Sequence, residues 1–157
     1  MATIRARPKH LFSWGFDLDL DGTSLASLDM AWLREGGRFL WSGTEYQLSR
    51  EGLWTGDFLL TADDRVLARA TKDSAFVRSF TIQLDGRELL FRAAAWLSRR
   101  FELLDGDSVI GEIVPDHFLT RACTVTFPDD LSVPVQVFLF WLAALMWRRQ
   151  SNSGAGS

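Results

Sequence analysis

The chain has 157 residues, of which 47% are hydrophobic and 24% charged, and its formal net charge is −3. This size and balance suit one globular domain with a sizeable core, and the negative charge argues against nucleic acid as a partner. A single cysteine, Cys123, excludes an internal disulfide and a multi-cysteine zinc site. The large excess of Phe and Trp over Tyr indicates buried aromatic surface rather than Tyr-rich binding loops.

The N-terminal segment MATIRARPKH is basic, and no apolar stretch of signal-peptide length follows it. We therefore expect residues 1–10 to form an N-terminal arm that precedes the folded domain.

A weak internal repeat organises the next part of the chain. Three segments align without gaps: FDLDLDGTSLA from Phe16, FLLTADDRVLA from Phe58 and FELLDGDSVIG from Phe101. Each has an aromatic residue, a leucine two positions later, a turn rich in Asp or Gly, and then a bulky apolar residue followed by a small one. This pattern is typical of a β-hairpin, and the segments from Phe39 and Phe80 fit the same template.

These five hairpins, with one more strand near residues 119–127, predict about eleven or twelve strands. A meander of that length loses its exposed edges when it closes on itself, so a barrel is favoured. The predicted fold is all-β with one helix: a closed barrel of about twelve strands wrapped around a hydrophobic C-terminal α-helix. We expect the barrel domain to span residues 11–149, with the helix over 131–149 and a disordered tail over 150–157.

The helix prediction rests on residues 133–147, which read VPVQVFLFWLAALMW with Gln136 as the only polar side chain. Asp129, Asp130 and Ser132 suit its start, and the pair Arg148–Arg149 suits the negative end of its dipole. Its apolar residues cover every face, so its surroundings are either the protein interior or a lipid bilayer. At about 16 residues, or roughly 24 Å, it is short for a hydrocarbon layer of about 30 Å, which favours the interior.

Hairpins of the form F-x-L, then Asp or Gly, then L-A, followed by one C-terminal hydrophobic helix ending in Arg, resemble the tubby C-terminal-like superfamily. That group includes the tubby domain, the plant LURP-one-related proteins and the phospholipid scramblases. The resemblance covers residues 11–149 and implies a twelve-stranded barrel threaded by a C-terminal helix. It also implies binding of phosphoinositide head groups and association with membranes. Head-group binding needs clustered basic residues, and Lys9 and Lys72 are the only lysines.

Residues with catalytic or metal-binding chemistry are few. His10 and His117 lack a nearby nucleophile motif, and Cys123 lies in an alternating strand pattern that indicates a buried structural thiol. The segment DLDLDG from Asp17 resembles the start of a calcium loop, but the twelfth position is Leu28 instead of glutamate. We therefore expect no metal, no cofactor and no catalytic residues.

Arginine pairs supply the candidate anion-binding residues, which are Arg99, Arg100, Arg148 and Arg149. The sequence predicts a non-enzymatic binding or scaffolding domain that recognises anionic phospholipid, a membrane surface or a protein partner. A cytoplasmic location is expected, either free or peripheral at a membrane. Two alternatives stay open: a tail-anchored membrane protein that uses helix 133–147, and an enzyme with a site assembled from scattered carboxylates.

Overall fold

The structure, a computed structural model, describes residues 3–9, 15–28, 36–52, 56–73, 78–95, 98–117 and 121–155, without the side chains of 152–155. Twelve strands and one helix, α1, make up the described fold. Their bounds are β1 Thr3–Pro8, β2 Phe16–Leu20, β3 Thr23–Leu28, β4 Gly37–Trp41, β5 Thr44–Arg50, β6 Phe58–Ala62, β7 Arg65–Lys72, β8 Ser79–Leu84, β9 Arg87–Ala93, β10 Phe101–Asp105, β11 Ser108–Pro115, β12 Cys123–Thr126 and α1 Val133–Ala155.

All strand pairs are antiparallel, and they form one sheet in the order β3-β2-β1-β12-β11-β10-β9-β8-β7-β6-β5-β4. The sheet curls into a nearly closed barrel, which confirms the predicted all-β fold and the predicted strand number. Its two edge strands, β3 and β4, are consecutive in the chain and come close to each other, but their described residues do not pair. A groove of about 390 Å³ between them is lined by Leu25, Ala26, Ser27, Arg38, Phe39, Leu40 and Glu45.

The five predicted hairpins are the pairs β2–β3, β4–β5, β6–β7, β8–β9 and β10–β11. Three of them turn through two residues with positive φ: Asp21–Gly22, Ser42–Gly43 and Asp63–Asp64. That geometry matches the right-handed twist of the flanking strands and explains the Asp, Ser and Gly at these positions. All five tight turns lie at the same end of the barrel, which we call the turn end.

The internal repeat corresponds to a repeated β-bulge. The register shifts immediately after Leu18, Leu60 and Leu103, the leucine of each aligned segment. The bulky apolar residue of each repeat is the extra residue of the bulge, and the small residue after it pairs with that leucine, as Ala26 pairs with Leu18. A bulge bends its strand and increases the local twist, so the repeat places three bends around the barrel.

Helix α1 fills the barrel. Its side chains are buried without interruption from Val135 to Trp147, on every face of the helix. Aromatic contacts join it to three widely separated strands: Phe140 to Phe16 at 5.2 Å, Trp141 to Phe58 at 5.6 Å and Trp147 to Phe101 at 6.2 Å between ring centroids. Because β2, β6 and β10 lie on different sides of the barrel, the helix is surrounded by the sheet.

Two boundaries differ from the sequence prediction. The segment 1–10, expected as an arm, contains β1, which pairs with β2 on one side and β12 on the other. Its residues Ile4 and Ala6 are buried in the core and alternate with the charged residues Arg5 and Arg7, which is the side-chain pattern of a strand. The helix also continues to Ala155, into the segment 150–157 that was expected to be a disordered tail.

Candidate functional site: the cationic mouth of the barrel

The up-and-down topology gives the barrel two different ends. Helix α1 enters from the turn end, where β12 delivers the chain, and runs along the interior to the opposite end. We call this opposite end the helix-exit end, because burial of the helix side chains stops there, after Trp147. Strands β5 and β7 finish at the helix-exit end, whereas β6 and β8 begin there.

Two strands end at the helix-exit end with a basic residue at an inward-facing position. On β5 the buried Leu48 is followed two positions later by Arg50, and on β7 the buried Ala70 is followed two positions later by Lys72. Side chains two apart on a strand share a face, so both basic residues face the barrel interior at its rim. The cross-strand partner of Arg50 is Phe58.

Arg149 of the helix joins these two basic residues. Its guanidinium carbon lies 5.9 Å from the centre of the Phe58 ring, and that of Arg50 lies 5.4 Å from the same ring. Although Arg149 is exposed as a whole, burial of its guanidinium against the barrel rim lowers its pKa, and the charge of Arg50 lowers it further. The two arginines therefore lie close enough to repel each other across one aromatic ring.

The ammonium group of Lys72 is affected by the charges of the same two arginines. Burial lowers the pKa of its ammonium group, and the charges of Arg149 and Arg50 add to that effect. Arg78, just before β8, lies at the same end of the barrel. Its guanidinium carbon lies 5.9 Å from the Phe101 ring, it donates hydrogen bonds to Gln150 Oε1 and the Ala95 carbonyl, and burial lowers its pKa. We call Arg50, Lys72, Arg78 and Arg149 the cationic mouth.

The charge of the turn end is the opposite. Its tight turns and the link that leads into the helix carry Asp21, Asp63, Asp64, Asp85, Asp105, Asp107, Asp129 and Asp130. Arg87 at this end pairs with Asp105 at 2.9 Å and with Asp130 at 2.8 Å. Although the net charge is only −3, the charges are unevenly distributed, so the barrel has an acidic end and a basic end. An anionic surface is attracted to one end and repelled by the other, which a net charge alone does not describe.

The predicted anion-binding residues occupy different surroundings. Arg149 belongs to the cationic mouth, whereas Arg100 forms an ion pair with Glu112 on the outer face. Arg99 donates a hydrogen bond to the carbonyl of His117, and its own carbonyl accepts one from the indole of Trp147 at 3.0 Å. Arg148 is half-buried beside Arg149 in the helix. Since α1 runs on to Ala155, this arginine pair marks the point where the helix leaves the core and not its last turn.

Arg50, Lys72 and Arg78 are not among the anion-binding residues predicted from the sequence. The sequence does contain a pattern that marks Arg50 and Lys72. In both β5 and β7 the alternation of inward-facing apolar residues ends in a basic residue, and both strands finish at the same end of the barrel. Using that signal requires the strand directions and the inward face, and both depend on the register of the whole meander.

The remaining candidate residues have structural surroundings. Cys123 is 1% exposed, and burial raises the pKa of its thiol, as does the nearby charge of Asp116. Asp17 accepts a hydrogen bond from Ser27, Asp19 pairs with Arg7, and Asp21 accepts one from the Thr3 amide. Asp17 and Asp19 thus bind residues on the neighbouring strands, and Asp21 binds the start of β1 from the tight turn. His10 lies outside the described residues, and His117 is exposed.

Within the ranges that the structure describes, no group of three or more His, Cys, Asp or Glu side chains is arranged to hold a metal ion. Among the same residues, no helix combines the length and the apolar character needed to cross a lipid bilayer. Comparisons of the chain with protein-family models, curated proteins and solved structures gave no match.

Proposed function

We propose that this protein is a non-catalytic binding domain that recognises anionic lipid with its helix-exit end. The observation that carries the proposal is the convergence of Arg50 and Arg149 on the Phe58 ring, with Lys72 close enough for the charges of both arginines to lower its pKa. Each of these groups comes from a different element, so their proximity is a product of the fold and not of a basic run in the sequence.

The energetics of the cationic mouth support a role in binding. Like charges held close together and partly removed from water oppose folding, because desolvation and repulsion both disfavour the charged forms. The helix dipole offsets little of this cost, because its effect falls off within the last turn and Arg149 lies before that turn in a helix that runs on to Ala155. A local cost to stability is typical of residues retained for function. Phosphate and carboxylate head groups would neutralise these charges.

The polarity of the barrel supports a defined orientation on a membrane. Juxtamembrane basic residues each contribute about 1 kcal/mol of attraction to an anionic leaflet, within roughly one Debye length of its surface. With the basic end towards the lipid, the acidic turn end points away and its repulsion is screened. The resemblance to tubby-like barrels implies lipid binding as well, and it agrees with this proposal without specifying the residues.

The outer-face carboxylates give less support to the enzyme alternative. Glu51 and Asp57 both bind Arg69 at 2.8 Å, and Asp116 binds Arg5 at 2.6 Å. These carboxylates are partners of arginines on the surface of the sheet instead of members of one concave cluster. We therefore favour a non-enzymatic role for this protein.

The test compares two variants of one strand. Arg65 and Lys72 are the first and last residues of β7 and lie at opposite ends of the barrel. Co-sedimentation with phosphatidylcholine vesicles that contain phosphatidylserine should show binding at low salt that weakens as salt rises. Lys72→Glu should reduce the partition coefficient by about tenfold or more, since reversal removes one attractive charge and adds a repulsive one. Arg65→Glu should leave it nearly unchanged. Equal effects of the two variants, or no binding of the wild-type protein, would refute the proposal.

A further inference from the structure

The wall of the barrel is open between its two edge strands, β3 and β4. The groove of about 390 Å³ that lies there is lined by Leu25, Ala26 and Ser27 of β3, by Arg38, Phe39 and Leu40 of β4, and by Glu45 of β5. A closed barrel has no free strand edge, whereas an open edge is a place where another strand pairs. The groove therefore differs from the rest of the wall, where each of the other described strands pairs on both sides.

The main-chain groups of Arg38 and Leu40 face this groove. The tight turn at Ser42–Gly43 has two positive φ angles, and in that turn type the flanking residues, Trp41 and Thr44, form a hydrogen-bonded pair. Hydrogen-bonded and non-hydrogen-bonded pairs alternate along an antiparallel ladder, so the N–H and C=O groups of Arg38 and Leu40 point away from β5. Among the residues that the structure describes, none forms a main-chain hydrogen bond with these groups on that side. The edge of β4 thus presents the donors and acceptors of an unfilled ladder.

The side chains on this edge give the groove its selectivity. Arg38 and Leu40 alternate with the buried Phe39 and point outward, and Leu40 is 67% exposed. Arg38 lies 3.6 Å from Glu45 of the neighbouring strand, but both side chains are more than half exposed, and surface pairs of this kind contribute little. Residues 25–27 on the opposite wall carry no charge. The open edge therefore offers one cationic and one apolar side chain, two positions apart.

We propose that this groove binds an extended segment of a partner protein, which adds a strand antiparallel to β4. Side chains that lie opposite each other in an antiparallel pair share a face of the sheet. An apolar residue of the partner therefore lies opposite Leu40, and an acidic residue two positions later lies opposite Arg38. The residue between them faces inward beside Phe39 and is apolar. The main-chain hydrogen bonds supply affinity, and the order apolar-apolar-acidic supplies specificity.

The size of the groove fits a single strand. A residue in a sheet occupies roughly 160 Å³, given a rise of about 3.4 Å, a strand spacing of about 4.8 Å and a sheet separation of about 10 Å. A groove of about 390 Å³ therefore accommodates two or three residues, which is the length of the recognised triplet. A second copy of this chain fits less well. Pairing through its own β4 would carry its β5 into the space that β3 occupies.

This surface goes beyond the proposed function, because it uses none of the residues of the cationic mouth. The probe is a synthetic peptide, STVLVEVT, with fluorescein at its N-terminus, in which leucine stands two positions before glutamate. The control peptide, STVLVKVT, carries lysine in place of that glutamate. Fluorescence anisotropy at low salt should show saturable binding of the glutamate peptide. The lysine peptide should bind about fivefold more weakly, because like charges opposite each other on a ladder repel.

Exchanging charge on the protein tests the register of the added strand. Arg38→Glu should reverse the preference, so that the lysine peptide binds about fivefold more tightly than the glutamate peptide. Arg92→Glu makes the same change in net charge and is the matched control, since Arg92 is exposed on β9, a strand that pairs on both sides. It should leave the preference for the glutamate peptide unchanged.

Blocking the main chain tests strand addition itself. Leu40→Pro removes one N–H from the open edge and spares the ladder with β5, so it should abolish binding of the glutamate peptide. If that variant does not fold, the reversal of preference in Arg38→Glu decides the matter. Lys72→Glu should bind the peptide as the wild-type protein does, so that failure of peptide binding and failure of vesicle binding are distinguishable.

Three results would overturn the proposal. The first is the absence of saturable binding of either peptide to the wild-type protein. The second is a pair of affinities that Arg38→Glu and Arg92→Glu change equally. The third is a concentration-dependent dimer in analytical ultracentrifugation that Arg38→Glu dissociates, since this would assign the groove to a second copy of the chain.

Discussion

The indole of Trp147 donates a hydrogen bond to the backbone carbonyl of Arg99 at 3.0 Å, across 48 residues of sequence. This contact ties the end of the buried part of the helix to the link between β9 and β10. It lies at the same end of the barrel as the cationic mouth. The helix that fills the core thus also contacts the rim of the barrel at the end where the cationic mouth lies.

Replacing Trp147 with Phe tests the strength of this contact. The variant keeps an aromatic ring against Phe101 and Phe140 but removes the donor to the Arg99 carbonyl. Losing a hydrogen bond of this kind costs about 1–3 kcal/mol when the acceptor stays buried. Urea unfolding should therefore show a lower midpoint with an unchanged slope. An unchanged midpoint would mean that water replaces the indole without cost.

A pair of leucine variants tests whether the helix lies in the core. Leu142 is fully buried in α1, whereas Leu40 on the edge strand β4 is 67% exposed. Leu142→Asp buries an unpaired carboxylate, and a penalty of several kcal/mol threatens a stability that is about 5–15 kcal/mol for a typical domain. We expect that variant to lose its cooperative thermal transition, while Leu40→Asp melts close to wild type. Similar melting temperatures for the two variants would place Leu142 at a surface.

Gly111, the small residue of the third repeat, has little room for a side chain. A Cβ on Gly111 would lie 2.4 Å from Phe127 Cδ1 and 2.9 Å from the Thr126 carbonyl oxygen. Overpacking of this kind costs about 1–3 kcal/mol, so Gly111→Ala should melt several degrees below wild type. The exposed Ser108→Ala on the same strand serves as the control. A melting temperature for Gly111→Ala equal to that of the control would show that β12 shifts freely.

Lys72→Met should separate stability from binding. Because the folded-state pKa of Lys72 lies below its ordinary value of 10.5, the protonated form opposes folding, and this cost fades as the pH rises towards 10.5. Methionine keeps the apolar stem without the charge. We expect the variant to be at least as stable as wild type at pH 7, with any advantage lost near pH 10.5, and to bind anionic vesicles more weakly. A less stable variant at pH 7 would show that the ammonium group stabilises the fold.

The sequence was sufficient to predict the fold because its information is local. Asp and Gly turns mark the hairpins, alternation marks the strands, and an uninterrupted apolar run marks the central helix. β1 was missed because its inward residues, Ile4 and Ala6, are too few to stand out among Arg5, Arg7 and Lys9. Its pairing with β12 is a contact between the two ends of the meander, which no local pattern reveals.

The candidate site was harder to predict for the same reason. Arg149 was recognised because it adjoins Arg148 in the sequence, but Arg50 and Lys72 join it only through the register of β5 and β7 against their neighbours. Conversely, Arg99 and Arg100 are adjacent in the chain and yet have different partners. Arg99 forms hydrogen bonds with Trp147 and His117, whereas Arg100 forms an ion pair with Glu112. Adjacency in the sequence is thus a poor guide to convergence at the end of a barrel.

The most direct test of the account measures which end of the barrel meets the lipid. In a Cys123→Ala background, single cysteines replace the exposed residues Ala94, at the helix-exit end, and Ser108, at the turn end, and carry an environment-sensitive fluorophore. On addition of anionic vesicles at low salt, the label at position 94 should show a blue shift, while the label at position 108 stays unchanged. A shift at position 108 alone, or equal shifts at both positions, would contradict binding through the helix-exit end.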